Sequence, residues 1–93
     1  MLDVNEYFDG KVKSIAFQTA TLAATVGVMQ AGDYEFNTER KETVTVVSGA
    51  LTVKLPHSTD WQIFRSSDSF IVEAQQTFQL KVDIDTAYLC TYE

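Results

Sequence analysis

A single carboxylate opens the most regular stretch of this chain. Glu42 begins the run "ETVTVVSGALTVKLP", in which apolar and polar residues alternate up to Ser48-Gly49 and again through Leu51, Val53 and Leu55. That alternation predicts a half-buried hairpin with Gly49 in its tight turn. A carboxylate with six residues between it and that glycine has two readings. It is an exposed strand-end charge beside Arg40 and Lys41, worth about 0–1 kcal/mol. Or it is aimed into an interior, where it accepts hydrogen bonds from a hydroxylated ligand. Other chemistries find little support. The only histidine, His57, follows Pro56 in a turn, and a histidine-based metal site needs several converging ligands. A Ser-His-Asp triad would have to recruit that same residue, and no nucleophile-elbow pattern exists. The lone cysteine, Cys90, lies in an apolar run with no basic neighbour, which predicts a buried structural thiol. No glycine-rich phosphate loop is present.

The 93 residues make one small domain, 1–93, with little margin of core, so self-association would help it. A net charge of −6 argues against contact with nucleic acid or an anionic membrane, since both need a basic footprint. The absence of a possible internal disulfide fits a reducing, cytoplasmic setting. The opening "MLDVNEYFDG" carries acids and no apolar core, unlike a secretory signal, and no apolar run reaches the length of a spanning helix.

The elements that must position Glu42 are strands. "KVKSIAFQ", "TVGVMQ", "DYEFN", the two arms around Gly49, "WQIF", "SFIV", "TFQLKV" and "AYLCTY" read as extended segments at intervals of roughly 8–12 residues, the rhythm of an all-β sandwich or barrel. Only "TATLAATVGVM" has any helical character, and its Thr and Val content favours strand. The expectation is an all-β, antiparallel β-barrel or jelly roll of about eight strands with one face of each filling the interior.

The stretches "NEYFDGKVKSIAF" from Asn5, "VGVMQAGDYEFNT" from Val26, "VTVVSGALTVKLP" from Val44, "DWQIF" from Asp60, "FQLKV" from Phe78 and "YLCTY" from Tyr88 carry a resemblance over nearly the whole chain. In order and spacing they resemble the pyrimidine/purine nucleoside phosphorylase family of small single-domain cupins. The spacing Glu-x6-Gly at Glu42 and Gly49 is the end of the first cupin motif, but "FNTERK" before it lacks the histidines of metal-binding cupins. The resemblance therefore implies a cupin-like domain with no metal cofactor. A second departure is "IVEAQQTFQL", where Glu73 replaces the family's usual proline.

What the resemblance implies is phosphorolysis: phosphate attacks C1′ of a purine or pyrimidine nucleoside, giving ribose 1-phosphate and the free base. Inorganic phosphate would be the co-substrate and no other cofactor would be needed. Such a reaction asks for anion donors, for which Arg40, Lys41 and Arg65, the last in the loop with Ser66, Ser67 and Ser69, are candidates beside the plain reading of solvated charges. It asks for a carboxylate near the oxocarbenium-like ribose, for which Glu42 is the first candidate, with Tyr34 donating to a sugar oxygen. It asks for a flat wall for the base, which Trp61, Phe36 or Phe78 would provide unless all three are packing residues. The competing expectation is a sugar- or nucleoside-binding cupin without catalysis. A homodimer is expected, with Tyr7 and Phe8 as candidate contacts.

Overall fold

The computed structural model describes residues 1–93. Ten strands and no helix make up the chain: β1 (Val4–Tyr7), β2 (Val12–Gln18), β3 (Ala23–Met29), β4 (Gly32–Asn37), β5 (Glu42–Ser48), β6 (Ala50–Lys54), β7 (Gln62–Arg65), β8 (Ser69–Val72), β9 (Thr77–Val82) and β10 (Thr86–Tyr92). They form a six-stranded sheet in the order β1-β2-β3-β10-β5-β8 and a four-stranded sheet in the order β4-β9-β6-β7. The expected all-β architecture is present as a jelly roll of two facing sheets that do not close into a barrel. The ambiguous "TATLAATVGVM" contributes β3, as its β-branched content predicts.

One strand was not foreseen and one expectation needs correction. The N-terminal segment carries no long apolar pattern, yet Val4–Tyr7 forms an edge strand, because Phe8 and Asp9 at φ 53° and 57°, with Gly10 at 83°, turn the chain back onto β2. And the two arms around Gly49 are not a hairpin. β5 lies in the larger sheet and β6 in the smaller, so Gly49 is a corner between sheets. Period-two alternation identifies a strand but not its partner. The corner needs glycine twice over. Its φ is +97°, and a Cβ there would lie 2.5 Å from Thr86 Oγ1. That hydroxyl, fully buried, accepts the Ala50 N–H at 3.2 Å and faces the carbonyls of Ala50 and Ile84 at 3.0 and 2.9 Å. The side chain of Thr86 thereby ties the corner to the start of β10.

Fourteen buried residues form the core between the sheets, among them Val44 and Val46 of β5, Leu51 and Val53 of β6, Phe78 and Leu80 of β9, and Tyr88 and Cys90 of β10. Alternation along each strand sends every second residue inward. A bulge opposite Ala87-Tyr88 sets Val47 aside from the β5–β10 pairing and keeps Tyr88 opposite Val46.

The loop with Glu73 in place of proline is held by the residue that follows β4. Buried Thr38 donates its hydroxyl to the Glu73 carbonyl at 2.7 Å and accepts the Gln76 N–H at 3.0 Å. Its own N–H donates to the Gln76 carbonyl at 2.8 Å, and its carbonyl accepts the Gln75 N–H at 3.0 Å. One threonine thus supplies the order that a rigid proline would have supplied.

Candidate functional site

At one end of the jelly roll the two sheets part to leave a cavity of ≈ 490 Å³. Its floor comes from inward positions of the larger sheet. Glu42 is the first residue of β5 and stands opposite Tyr92 of β10 and Val72 of β8. Two residues on, Val44 stands opposite Cys90, and Val46 opposite Tyr88. Period two therefore puts Glu42, Cys90, Tyr88 and Tyr92 on one face. The opposite wall is aromatic. Phe36 and Phe78 are a direct cross-strand pair of β4 and β9, stacked at 5.9 Å between centroids, and Phe70 meets Phe78 edge-on at 6.1 Å. Tyr7 reaches over from β1, 6.4 Å from Phe36, and Asn37, Glu39 and Arg40 form the rim.

Burial governs the chemistry of the floor. The Glu42 carboxyl is half-buried and its pKa is raised by desolvation, an effect partly offset by the Cys90 thiol, which donates to Oε1 at 3.5 Å. Cys90 is pushed up to about 12 by burial and then by the Glu42 charge, so it is a thiol and not a nucleophilic thiolate. Burial also pushes the Tyr88 phenol up to about 12. Tyr92 is raised too, chiefly by burial, while its hydroxyl shares a hydrogen bond with Thr25 at 3.0 Å. All three are neutral near pH 7, and the two phenols carry the hydroxyl groups of the floor.

The raised carboxyl makes a stability prediction. An unfolded Glu42 releases its proton near 4.5, and the folded one only at higher pH, so between those values the folded state holds more protons. Stability contributed by this group is full below that window and is lost as pH rises through it. Glu42→Gln removes the loss. Thermal denaturation over a pH series should find the variant equal to wild type below pH 4.5 and more stable at neutral pH. Equal melting temperatures throughout would contradict the assigned desolvation.

Of the residues picked out by sequence reasoning, Glu42, Phe36, Phe78 and Arg40 meet at this cavity. Tyr34 does not. It is buried beside it, its hydroxyl donates to the Gln30 carbonyl, and its ring packs on Phe8 at 5.0 Å. Desolvation raises its pKa, with Asp85 adding to the effect. Trp61 lies outside, under the Lys81 ammonium at 4.3 Å from the ring centroid, in a shallow depression with Asp33 and Glu35. Lys41 pairs with Glu93 at 3.9 Å. Arg65 is off the cavity as well, and two hydroxyls of its loop have partners within the protein. Ser66 donates to the Val47 carbonyl at 2.9 Å, Ser69 bonds Thr45 at 2.7 Å, and the Asp68 carboxylate takes the Arg65 N–H at 2.8 Å. Those hydroxyls are already engaged, and Asp68 adds a negative charge. Tyr7 and Phe8, expected at a dimer contact, fold back on their own chain against Phe36 and Tyr34.

Sequence reasoning missed Tyr7, Tyr88, Tyr92, Asn37 and Ser14 as lining residues. The signal for Tyr88 and Tyr92 was available, because they share the parity of Cys90 in "AYLCTY". What was lacking was the pairing of β10 with β5. No three of the His, Cys, Asp and Glu side chains come together as a metal-binding group, so the donors present do not fit the metal of metal-binding cupins.

The two facing sheets with an open cavity between them form a cupin-like jelly roll. The solved structures agree on that class: an RmlC-like cupin from Shewanella frigidimarina superposes with a TM-score of 0.77 at 17% identity, over 98% of this chain and 82% of its own. A Vibrio parahaemolyticus protein described as of unknown function superposes with a TM-score of 0.96 at 44% identity, over 100% and 99% of the two chains. The sequence pattern of the family described as pyrimidine/purine nucleoside phosphorylase matches residues 2–92. A Hahella chejuensis protein of that name is 68% identical over 92 residues, 99% of each chain. The chain belongs to the pyrimidine/purine nucleoside phosphorylase family.

Proposed function

We propose that this protein cleaves purine and pyrimidine nucleosides with phosphate, giving ribose 1-phosphate and the free base, at the cavity floored by Glu42. The observation that carries the reading is the pairing of a half-buried carboxylate with a stacked phenylalanine wall inside one cavity of ≈ 490 Å³. The wall of Phe36 and Phe78 offers a π-face to any base, which suits breadth of substrate. Glu42 faces the ribose and supports positive charge as the bond from C1′ to the base nitrogen lengthens. The bonding pair leaves with the base while a phosphate oxygen bonds to C1′, and the proton of hydrogen phosphate ends on the base nitrogen. Tyr88, Tyr92 and Asn37 are placed to hold sugar hydroxyls. No cofactor beyond phosphate is invoked.

Arg40 is the one basic side chain on the wall, and one guanidinium nitrogen rests 3.5 Å from the Tyr92 carbonyl. It is the group we assign to phosphate. Arg40→Ala should raise the KM for phosphate by about ten- to a hundred-fold while nucleoside binding is kept. Steady-state kinetics at varied phosphate check this, and an unchanged KM would move the anion elsewhere.

A second reading, a nucleoside-binding cupin without catalysis, is favoured by one feature: Glu39 and Glu42 outnumber Arg40 at the cavity. The deciding experiment incubates chelator-treated protein with uridine or adenosine, with and without phosphate, and measures base and ribose 1-phosphate. Base released only with phosphate supports phosphorolysis. Calorimetric binding of nucleoside without release leaves the second reading.

A further inference from the structure

A stacked phenylalanine wall explains how a base is held, but not why the cavity is acidic. Its charged lining is Glu39, Arg40 and Glu42, two carboxylates against one guanidinium, and no lysine or histidine reaches it. The wall is also more than a flat surface. Phe36 stacks on Phe78 at 5.9 Å, and Tyr7 and Phe70 meet these two rings edge-on at 6.4 and 6.1 Å. Ring faces and carboxylates share one preference, since both attract positive charge. The floor gives a second sign. A neutral base leaves only if a proton reaches its nitrogen, and the floor is a poor source of one. The Cys90 thiol and the Tyr88 phenol are each pushed up to about 12, chiefly by burial, and Glu42 serves as a carboxylate facing the ribose. A base whose glycosidic nitrogen is already cationic asks for no proton, because it departs neutral.

We propose that the cavity takes ribosides of permanently cationic bases, such as pyridinium ribosides, and cleaves them with phosphate in preference to neutral nucleosides. This substrate class rests on the phosphorylase reading and narrows it. The cationic ring lies on the Phe36–Phe78 wall, with the Glu39 carboxylate of the same cavity as its counter-charge. The bond from C1′ to the ring nitrogen breaks, and its electron pair goes to that nitrogen and cancels the charge. An oxygen of hydrogen phosphate bonds to C1′, and the phosphoryl group keeps its proton. A cation and a dianion thus give a neutral base and a sugar phosphate monoanion. The bound cation also offsets the repulsion between the two carboxylates and the incoming phosphate, which Arg40 alone opposes when the base is neutral.

Nicotinamide riboside carries a fixed pyridinium charge, and its reduced form is a neutral ring of nearly the same shape. Calorimetry without phosphate should find the oxidised form bound about ten-fold more tightly than the reduced form. Glu39→Gln should cut that ratio by about two- to five-fold, and Phe36→Leu, which keeps an apolar wall without a ring face, by about three- to ten-fold. Glu35→Gln removes the same charge from the outer face of the smaller sheet and should leave the ratio unchanged. With phosphate present, kcat/KM for nicotinamide riboside should exceed that for uridine by about ten-fold, read as released nicotinamide, uracil and ribose 1-phosphate. Equal affinity for the two forms, a ratio untouched by Glu39→Gln and Phe36→Leu in folded variants, or a kcat/KM below that for uridine overturns the proposal. Cleavage of neither riboside would sink the phosphorylase reading itself, and the preference for cations would then be decided by the binding ratio alone.

Discussion

Glu42→Gln is expected to lower kcat for phosphorolysis by about 10²–10³ while nucleoside still binds. Gln keeps the size and much of the hydrogen-bonding capacity of Glu but cannot carry the charge that opposes the developing oxocarbenium ion. The Cys90 thiol, 3.5 Å from Oε1, can donate to an amide oxygen as it does to a carboxylate oxygen, so the side chain has a reason to stay in place. Because desolvation raises the carboxyl pKa, the variant should be no less stable than wild type at neutral pH. Loss of turnover with a retained fold and retained binding is therefore separable from loss of structure. Single-turnover kinetics beside calorimetric nucleoside binding make the measurement, and wild-type turnover in the folded variant would remove Glu42 from the reaction.

The second large effect is expected from Gly27→Ala. Gly27 is on β3 opposite Tyr88, and a Cβ there would fall 2.5 Å from the Tyr88 hydroxyl oxygen and 2.8 Å from the Lys13 carbonyl oxygen. The reason for glycine is space, not backbone angle. The missing side chain lets the Tyr88 ring lie flat across the sheet and leaves the cavity open above it. A methyl group must push that ring toward the cavity or part β2 from β3. Overpacking of this kind costs about 1–3 kcal/mol, which lowers the melting temperature of a domain this size by roughly 4–20 °C. Activity should fall further than stability alone explains, because the displaced phenol occupies substrate space. A variant with unchanged melting temperature and unchanged KM for nucleoside would show that Tyr88 has room to spare.

Strand content was legible in the chain because alternation is a local property. β5, β6 and β9 announce themselves in "ETVTVVS", "ALTVK" and "TFQLKV". Partnership was not legible. The same alternation serves a hairpin and a corner, and only the positive φ of Gly49 and its contact with Thr86, far along the chain, distinguish them. The site divides along the same line. Glu42 was singled out by its spacing from Gly49 and by the family resemblance, Phe36 and Phe78 by residue type, and they converge at the cavity. Trp61 and Arg65 were chosen for chemical suitability alone, and the edge strand β7 carries that part of the chain elsewhere. Tyr88 and Tyr92 were not assigned to the site because their role depends on the register of β10 against β5, a pairing across some forty residues of sequence.

That register has a further consequence, for the order in which the molecule is made. β10 is the latest-synthesised of the ten strands, yet it lies at the centre of the larger sheet between β3 and β5. β1, β2 and β3 can pair as they emerge, since they are joined by short turns, but β5 and β8 have no route to them until β10 arrives. On a ribosome the nascent chain must therefore hold an N-terminal meander and a set of unpaired edges until the β10 residues emerge. Closure of the larger sheet, and with it assembly of the cavity floor, is then a single late event governed by distant contacts, which places this small protein among slow folders for its size.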